Sequence, residues 1–266
     1  MLRLPNLRFE LQPGEQRLLD PAVGDAKANN ISLRADGDAL RGAGASPSAG
    51  PGPDNRAALK AMPLRFRGQA LARVARLFPH YRDRATIGSA SFRPYAVDGR
   101  QRSWRQDDSR LHVDAFPSNP SRGQRLLRIF TNLNPHGEPR VWRVGEPFED
   151  FAKSHVAQIG RPLPGSEWAM HALSITKRRR SECDHLALQL HDRSTADLGW
   201  QRNSPQITAP FAPGSTWIAY SDQVLHAVMS GQFMMEMTIL LQPGDMLTPQ
   251  RSPLSVLQRL TGRALL

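Results

Sequence analysis

The chain has 266 residues, 39% hydrophobic and 22% charged, with Lys+Arg 35 against Asp+Glu 24 and a formal net charge of +11. That length suffices for one sizeable domain, and the sequence lacks the run of about eighteen apolar residues that a membrane-spanning helix needs. The lone Cys183 excludes a disulfide framework and a thiolate metal cluster and fits a reducing cytoplasm, while the arginine-dominated charge points to an anionic partner: nucleic acid, an acidic membrane surface, or a phosphorylated or carboxylated substrate.

The N-terminus lacks the apolar core of a secretory signal. Leu7–Leu11 alternates like a short strand, and Asn30–Leu33 reads as another. Residues 43–56, rich in Gly, Pro, Ala and Ser, have nothing to bury and read as a flexible surface insertion within the domain. Leu59, Met62, Leu64, Leu71, Val74, Leu77 and Phe78 follow at helical spacing. Pro63 breaks the run, so an amphipathic helix is expected from about Arg67 to Phe78. Beyond Pro79 the period turns to two. Strands are expected at Ser89–Arg93, within Arg110–Ser118, and at Leu126–Asn132, Arg140–Val144, Ile207–Phe211, Thr216–Tyr220, His226–Met229 and Met234–Leu241. Helices are expected at Phe148–Ile159, whose acidic start suits a helix N-terminus, and at Glu182–Arg193. Ser252–Leu266 reads as a short amphipathic helix that either docks on the domain or lies on an anionic bilayer. The five tryptophans, Trp104, Trp142, Trp168, Trp200 and Trp217, read as core residues. Many short strands with a few peripheral helices imply a single domain over residues 1–266, mainly β with flanking helices: a jelly roll, or double-stranded β-helix of the cupin-like kind.

Within Arg110–Ser118, alternation on an extended chain puts His112 and Asp114 on one face. His226, which precedes a Ser-Gly turn, is the candidate third ligand. Two early ligands and one late one resemble the order in double-stranded β-helix oxygenases. Two His and one carboxylate on one face of a metal leave three positions open, the facial triad of non-heme Fe(II) chemistry. A 2-oxo acid and O2 take up those positions. The distal carboxylate of 2-oxoglutarate then needs a cation. Oxygenases of this fold often carry an arginine about ten residues after the late histidine, where this chain has Glu236. Arg128, a charge within Leu-Leu-Arg-Ile-Phe, is the substitute, with Asn132 and Thr238 adding hydrogen bonds; the structural alternative is that Arg128 pairs with Glu236. Arg93, Arg105, Arg110, Arg140 and Arg143 are candidates for an anion-binding rim, and Asp184 and His191, seven apart, are candidates for substrate contact. His185 and His191 are six apart, off helical spacing for a second metal.

Ser91-Phe-Arg-Pro94, the long block Ser103–Ser118, Arg128–Pro135, Trp142–Glu146, Leu190-His-Asp192 and Pro213–Trp217 through His226 to Gly231 carry a resemblance. From about residue 60 to the C-terminus, and more loosely over residues 8–42, the chain is similar to the 3-deoxy-D-manno-oct-2-ulosonic acid (Kdo) hydroxylases of Gram-negative bacteria. The resemblance implies an Fe(II)/2-oxoglutarate dioxygenase that hydroxylates C3 of the Kdo sugar of Kdo-lipid A to give Ko, with His112, Asp114 and His226 as iron ligands. It further implies Fe(II), 2-oxoglutarate and O2 as cofactor and cosubstrates. The expected partner is Kdo-lipid A or a related anionic glycolipid, with no nucleic acid. The expected place is cytoplasmic, peripheral to the inner membrane. The other readings open at this point are an oxygenase on another anionic substrate, such as a nucleic-acid demethylase, and a non-catalytic sugar-binding barrel.

Overall fold

The computed structural model describes residues 1–25, 27–37, 39–44, 53–97 and 103–266. Among the described residues the strands are β1 (Leu2–Leu4), β2 (Ile31–Leu33), β3 (Leu40–Arg41), β4 (Thr86–Arg93), β5 (Arg125–Asn132), β6 (Arg140–Gly145), β7 (Gln206–Phe211), β8 (Thr216–Tyr220), β9 (His226–Ser230) and β10 (Met234–Leu241). The helices are α1 (Pro53–Leu77), α2 (Phe148–His155), α3 (Ser166–Ala172), α4 (Glu182–Ala196), α5 (Leu198–Asn203) and α6 (Pro253–Thr261). Seven strands form one antiparallel sheet in the order β1-β8-β5-β10-β4-β2-β3, and β7-β6-β9 form a second. The two sheets with flanking helices make a jelly roll.

Period-two alternation along the central strands decides what each face holds. On β10, Met235, Met237, Ile239 and Leu241 point to one face and pack with Leu127 and Ile129 of β5 and Phe92 of β4 beneath α1. Met234, Glu236 and Thr238 alternate with them and point between the sheets. There Phe130, Trp142, Phe211, Trp217 and Val228 form a second core. A third core lies among α2, α4 and α6, and it takes in Val113 and Leu225.

α1 is longer than its sequence suggests. It runs through Pro63, and its buried stripe is Leu59, Met62, Phe66, Ala70 and Val74, at spacings of three and four; Leu64 and Leu77 are exposed. Proline in a helix interior costs about 3 kcal/mol. Packing of Leu59 and Met62 on one side of Pro63, and of Phe66 and Ala70 on the other, offsets that cost. Residues 53–56 of the expected flexible insertion form the first turn of α1, and residues 45–52 lie outside the described residues.

Two expected strands are absent. Leu7–Leu11 is irregular. Phe9 packs edge-on against Phe66 at 5.3 Å, and carbonyls that a sheet neighbour would take are bonded instead by side chains: Leu7 O by Thr216 Oγ1, Arg8 O by Arg73, and Glu10 O by Arg65. In Arg110–Ser118 only His112 is paired, in an isolated bridge to His226. The C-terminal helix docks on the domain, with Leu254, Val256 and Leu257 buried, and it ends at Gly262 in the left-handed conformation.

Gly231, between β9 and β10, has φ +117°, and a Cβ there would lie 2.8 Å from Arg140 Cα on β6. The obstacle is backbone, so it cannot move aside cheaply. Gly231→Ala is expected to lower stability by about 1–3 kcal/mol, read as a fall in the urea midpoint at unchanged slope; an unchanged midpoint would show that the turn tolerates a side chain.

Candidate metal centre

His112 and Asp114 lie on an extended segment, and His226 opens β9. The bridge between His112 and His226 holds the two backbones together, with His112 N donating to His226 O at 3.0 Å and His226 N to His112 O at 2.9 Å. Asp114 N donates to Ser221 O at 2.8 Å. On its other edge the segment has a side chain as partner: Gln201 of α5 accepts from Leu111 N at 2.8 Å and donates to Leu111 O at 2.9 Å. Alternation then sends Leu111 and Val113 into buried apolar surroundings and His112 and Asp114 into the cavity.

One potential ligand atom from each of His112, Asp114 and His226 lies within 4.8 Å of the others. Each histidine donates Nδ1–H to a backbone carbonyl, His112 to Arg110 O and His226 to Val224 O, both at 2.8 Å. A carbonyl only accepts, so these bonds put a proton on Nδ1 and leave Nε2 as the nitrogen that would face a metal. Trp142 stacks on the His226 ring at 4.8 Å and restrains its rotation. Burial, with His112 nearby, lowers the His226 pKa to about 4, so it is neutral near pH 7. Burial opposes charge on Asp114 too, yet Arg128, His112 and His226 hold its carboxyl well below the usual carboxylate range. Asp114 Oδ2 forms an ion pair with Arg128 at 2.9 Å, but this buried oxygen accepts no hydrogen bond among the described residues. Burial opposes charge on His112 as well, but Asp114 beside it raises its pKa, so a metal would take the place of a proton there. A neutral imidazole, a second imidazole that can give up its proton and an ionised carboxylate fit a divalent metal.

A cavity of about 30 Å³, partly open to solvent, adjoins these residues; Arg93, Asp108, Arg128, Phe130, Arg140, Trp142 and Glu236 contribute to its lining. Arg93 holds Glu236 with two hydrogen bonds of 3.1 Å and lies 3.4 Å from Asp108. Arg128 donates Nε to Thr238 Oγ1 at 3.2 Å, and its Nη2 is 3.9 Å from Glu236. Glu236 is therefore mainly the partner of Arg93. Burial raises its pKa, but Arg93 and Arg128 outweigh that and keep it ionised.

Other candidate residues lie in different settings. Asn132 is not brought to the cavity: its amide donates to Glu138 O and Phe211 O and accepts from Asn134 N. Arg110 is held by Asp107 and Thr195 O, and Arg143, on the opposite face of β6 from Trp142, by Ser109 O. Arg105 is exposed; it lies over Trp104 and bonds Asp192. His191 packs edge-on against His112 at 5.5 Å, its Nδ1 is 3.2 Å from Asp192, and burial with His112 nearby lowers its pKa. Asp184 makes a capping box with Ser181 at the start of α4 and accepts from Arg122 N, so it serves the backbone. Trp142 and Trp217 are core residues, whereas Trp168 is 62% exposed. Gln201 and the Arg93–Glu236 pairing carry no sequence signal.

A family profile described as 3-deoxy-D-manno-oct-2-ulosonic acid (Kdo) hydroxylase matches residues 1–264. Among solved structures, the chain is similar to the Kdo hydroxylase KdoO, described as a non-heme Fe(II) alphaketoglutarate dependent dioxygenase. Against its complex with alphaketoglutarate and Fe(III) the TM-score is 0.93 at 40% identity, covering 100% of this chain and 87% of that one. Against the apo form the TM-score is 0.93 at 41% identity, covering 98% and 86%. The cobalt(II) complex gives 0.94 at 40%, covering 99% and 86%. No curated protein matches the chain significantly.

Two outcomes are expected from this geometry. In calorimetric titration with Co(II), Asp114→Ala and His226→Ala each weaken binding by more than about a hundredfold, and Trp142→Ala by roughly tenfold, as changes behind a metal ligand do. Equal binding by all three variants would place the metal elsewhere. Glu236→Ala leaves Arg93 without its bidentate partner and lowers stability by about 3–5 kcal/mol in urea denaturation.

Proposed function

The chain belongs to the Kdo hydroxylase family, and from that membership we propose that it hydroxylates C3 of the Kdo sugar of Kdo-lipid A, giving Ko, in a reaction dependent on Fe(II), 2-oxoglutarate and O2. The observation that carries the reading is the convergence of His112, Asp114 and His226 beside an arginine-lined cavity. A nucleic-acid substrate and a non-catalytic barrel lose their standing once the family is shown.

His112, Asp114 and His226 would hold the iron, which when bound supplies the O2-dependent decarboxylation of 2-oxoglutarate coupled to C–H hydroxylation. The residues around it position and protect that chemistry. Arg128, with Thr238 beside it, offers a cation for a cosubstrate carboxylate, and Arg93 and Arg140 line the same cavity. Phe130, Trp142, Val228 and Met234 supply the apolar part of its lining. Arg128 also keeps Asp114 ionised, so one guanidinium serves both a ligand and the cosubstrate pocket. His191 and Arg105 are the candidates for sugar contact; what supports them is that Asp192 contacts both and that His191 lies against His112.

Among the described residues no helix is long and apolar enough to cross a membrane. A lipid-linked substrate places the enzyme on the cytoplasmic side, in peripheral contact with the inner membrane.

Incubation of the chain with Kdo-lipid A, Fe(II) and 2-oxoglutarate is expected to add one oxygen to the Kdo residue by mass spectrometry, with matching succinate release. An unchanged Kdo mass while succinate is released would sink the substrate assignment. Arg128→Ala should raise the KM for 2-oxoglutarate by about ten- to a hundredfold, the range for lost hydrogen bonds to a charged group, with the KM for Kdo-lipid A little changed.

A further inference from the structure

Between α2 and α4 the chain makes an excursion, residues 161–180, in which Thr176 is the single buried residue. It carries α3 and four large apolar side chains turned to solvent: Leu163 at 77% exposure, Trp168 at 62%, Leu173 at 72% and Ile175 at 56%. Single exposed apolar residues are ordinary on a soluble domain. Four within thirteen residues, followed at once by Lys177-Arg178-Arg179-Arg180, are not. The excursion holds five Lys and Arg against one carboxylate, Glu167. The exposed C-terminal Leu266 lines the same groove as Leu163, Arg179 and Arg180.

An apolar group that includes a tryptophan, next to a basic run, matches the chemistry of an anionic bilayer surface: acyl boundary for the apolar side chains, lipid phosphates for the cations. The helix α6, the other amphipathic candidate, is ruled out as the docking element because its apolar face is buried against α2 and α4. The excursion is also tied to the metal-ligand segment. Lys177 N donates to Ser118 O at 2.9 Å, and Arg180 Nη2 to Pro117 O at 2.6 Å, a few residues beyond Asp114.

We propose that residues 163–180 are the membrane-docking face of this protein, seating Leu163, Trp168, Leu173 and Ile175 in the interface of an anionic bilayer with Lys177–Arg179 against its headgroups. The assignment deepens the reading of a lipid-linked substrate, and it rests on that reading for its purpose. A docked excursion anchored at Pro117 and Ser118 holds the cavity near the plane where a lipid-borne sugar lies.

The test uses the full chain with phosphatidylcholine vesicles, with and without phosphatidylglycerol, in a sedimentation assay. The wild type is expected to sediment with phosphatidylglycerol vesicles, to release as salt rises, and to show a blue-shifted tryptophan emission that Trp168→Phe removes. Lys177→Gln with Arg178→Gln should weaken partitioning by about fivefold per charge. Leu163→Glu with Leu173→Glu should leave the protein in the supernatant, with an unchanged melting temperature and an unchanged rate on a deacylated, water-soluble Kdo saccharide, but a lower rate on Kdo-lipid A in vesicles. Wild type that stays in the supernatant overturns the proposal. So do glutamate variants that sediment like wild type, and so does a chain dimer that these variants dissolve while no vesicles are bound. Vesicle binding without hydroxylation of either Kdo-lipid A or the soluble saccharide supports the docking face and overturns the substrate reading instead.

Discussion

The cavity rests on charges that alternate in sign: Asp108, Arg93, Glu236, Arg128 and Asp114 follow one another at contacts of 2.9 to 3.9 Å. No member is tolerable alone in such a setting, because removing a charge from water costs several kcal/mol unless a partner lies close. The chain distributes the members over β4, β5, β10 and the Asp108–Asp114 segment, so the network also fastens the sheet to the irregular segment that carries two ligands. Counting Arg140, the lining holds three carboxylates and three guanidiniums and is formally neutral. A dication alone or a dianion alone upsets that balance, whereas both together restore it. The charge count is therefore compatible with a dication and a dianion binding together.

Much of this was legible in the sequence because it depends on local periodicity. β5, β8, β9 and β10 were readable from apolar alternation. His112, Asp114 and His226, named from strand parity and chain order, are the residues whose ligand atoms come together. What was not legible depends on partners distant in the chain. Nothing near Pro63 announces that α1 continues through it, since the compensation comes from a sheet formed by later residues. Glu236 read as a missing arginine; its meaning lies in Arg93, 143 residues away. The strand expected at Arg110–Ser118 shrinks to one bridge, because beyond His112 the segment leaves β9 and Asp114 N bonds Ser221 O, while the other edge meets only the Gln201 side chain.

The arginine excess also divides in a way composition does not show. Several guanidiniums act as staples on backbone carbonyls: Arg65 on Glu10, Arg67 on Ala35, Arg73 on Arg8, Arg193 on Gln158 and Arg259 on Gln250. Each satisfies a loop acceptor that regular structure leaves open, so much of the +11 formal charge secures the chain's own loops and is not directed at a partner. Arg180 does the same for Pro117, so the cations of the cavity and of Lys177–Arg179 remain as those with a reason to meet anions.

The Gln201 clamp has a dynamic consequence. A sheet edge opens along its length, but a single side-chain amide either grips or lets go. The Leu111 N–H donates to Gln201 at 2.8 Å in a buried setting, and so becomes accessible to solvent protons only when α5 lifts away. The spacing of His112 and Asp114 is thereby tied to the closed state of a six-residue helix at the periphery. Local opening of α5, a far smaller event than global unfolding, would loosen two of the three candidate ligands together. Hydrogen-exchange protection at this one amide thus reports how long the ligand set stays assembled.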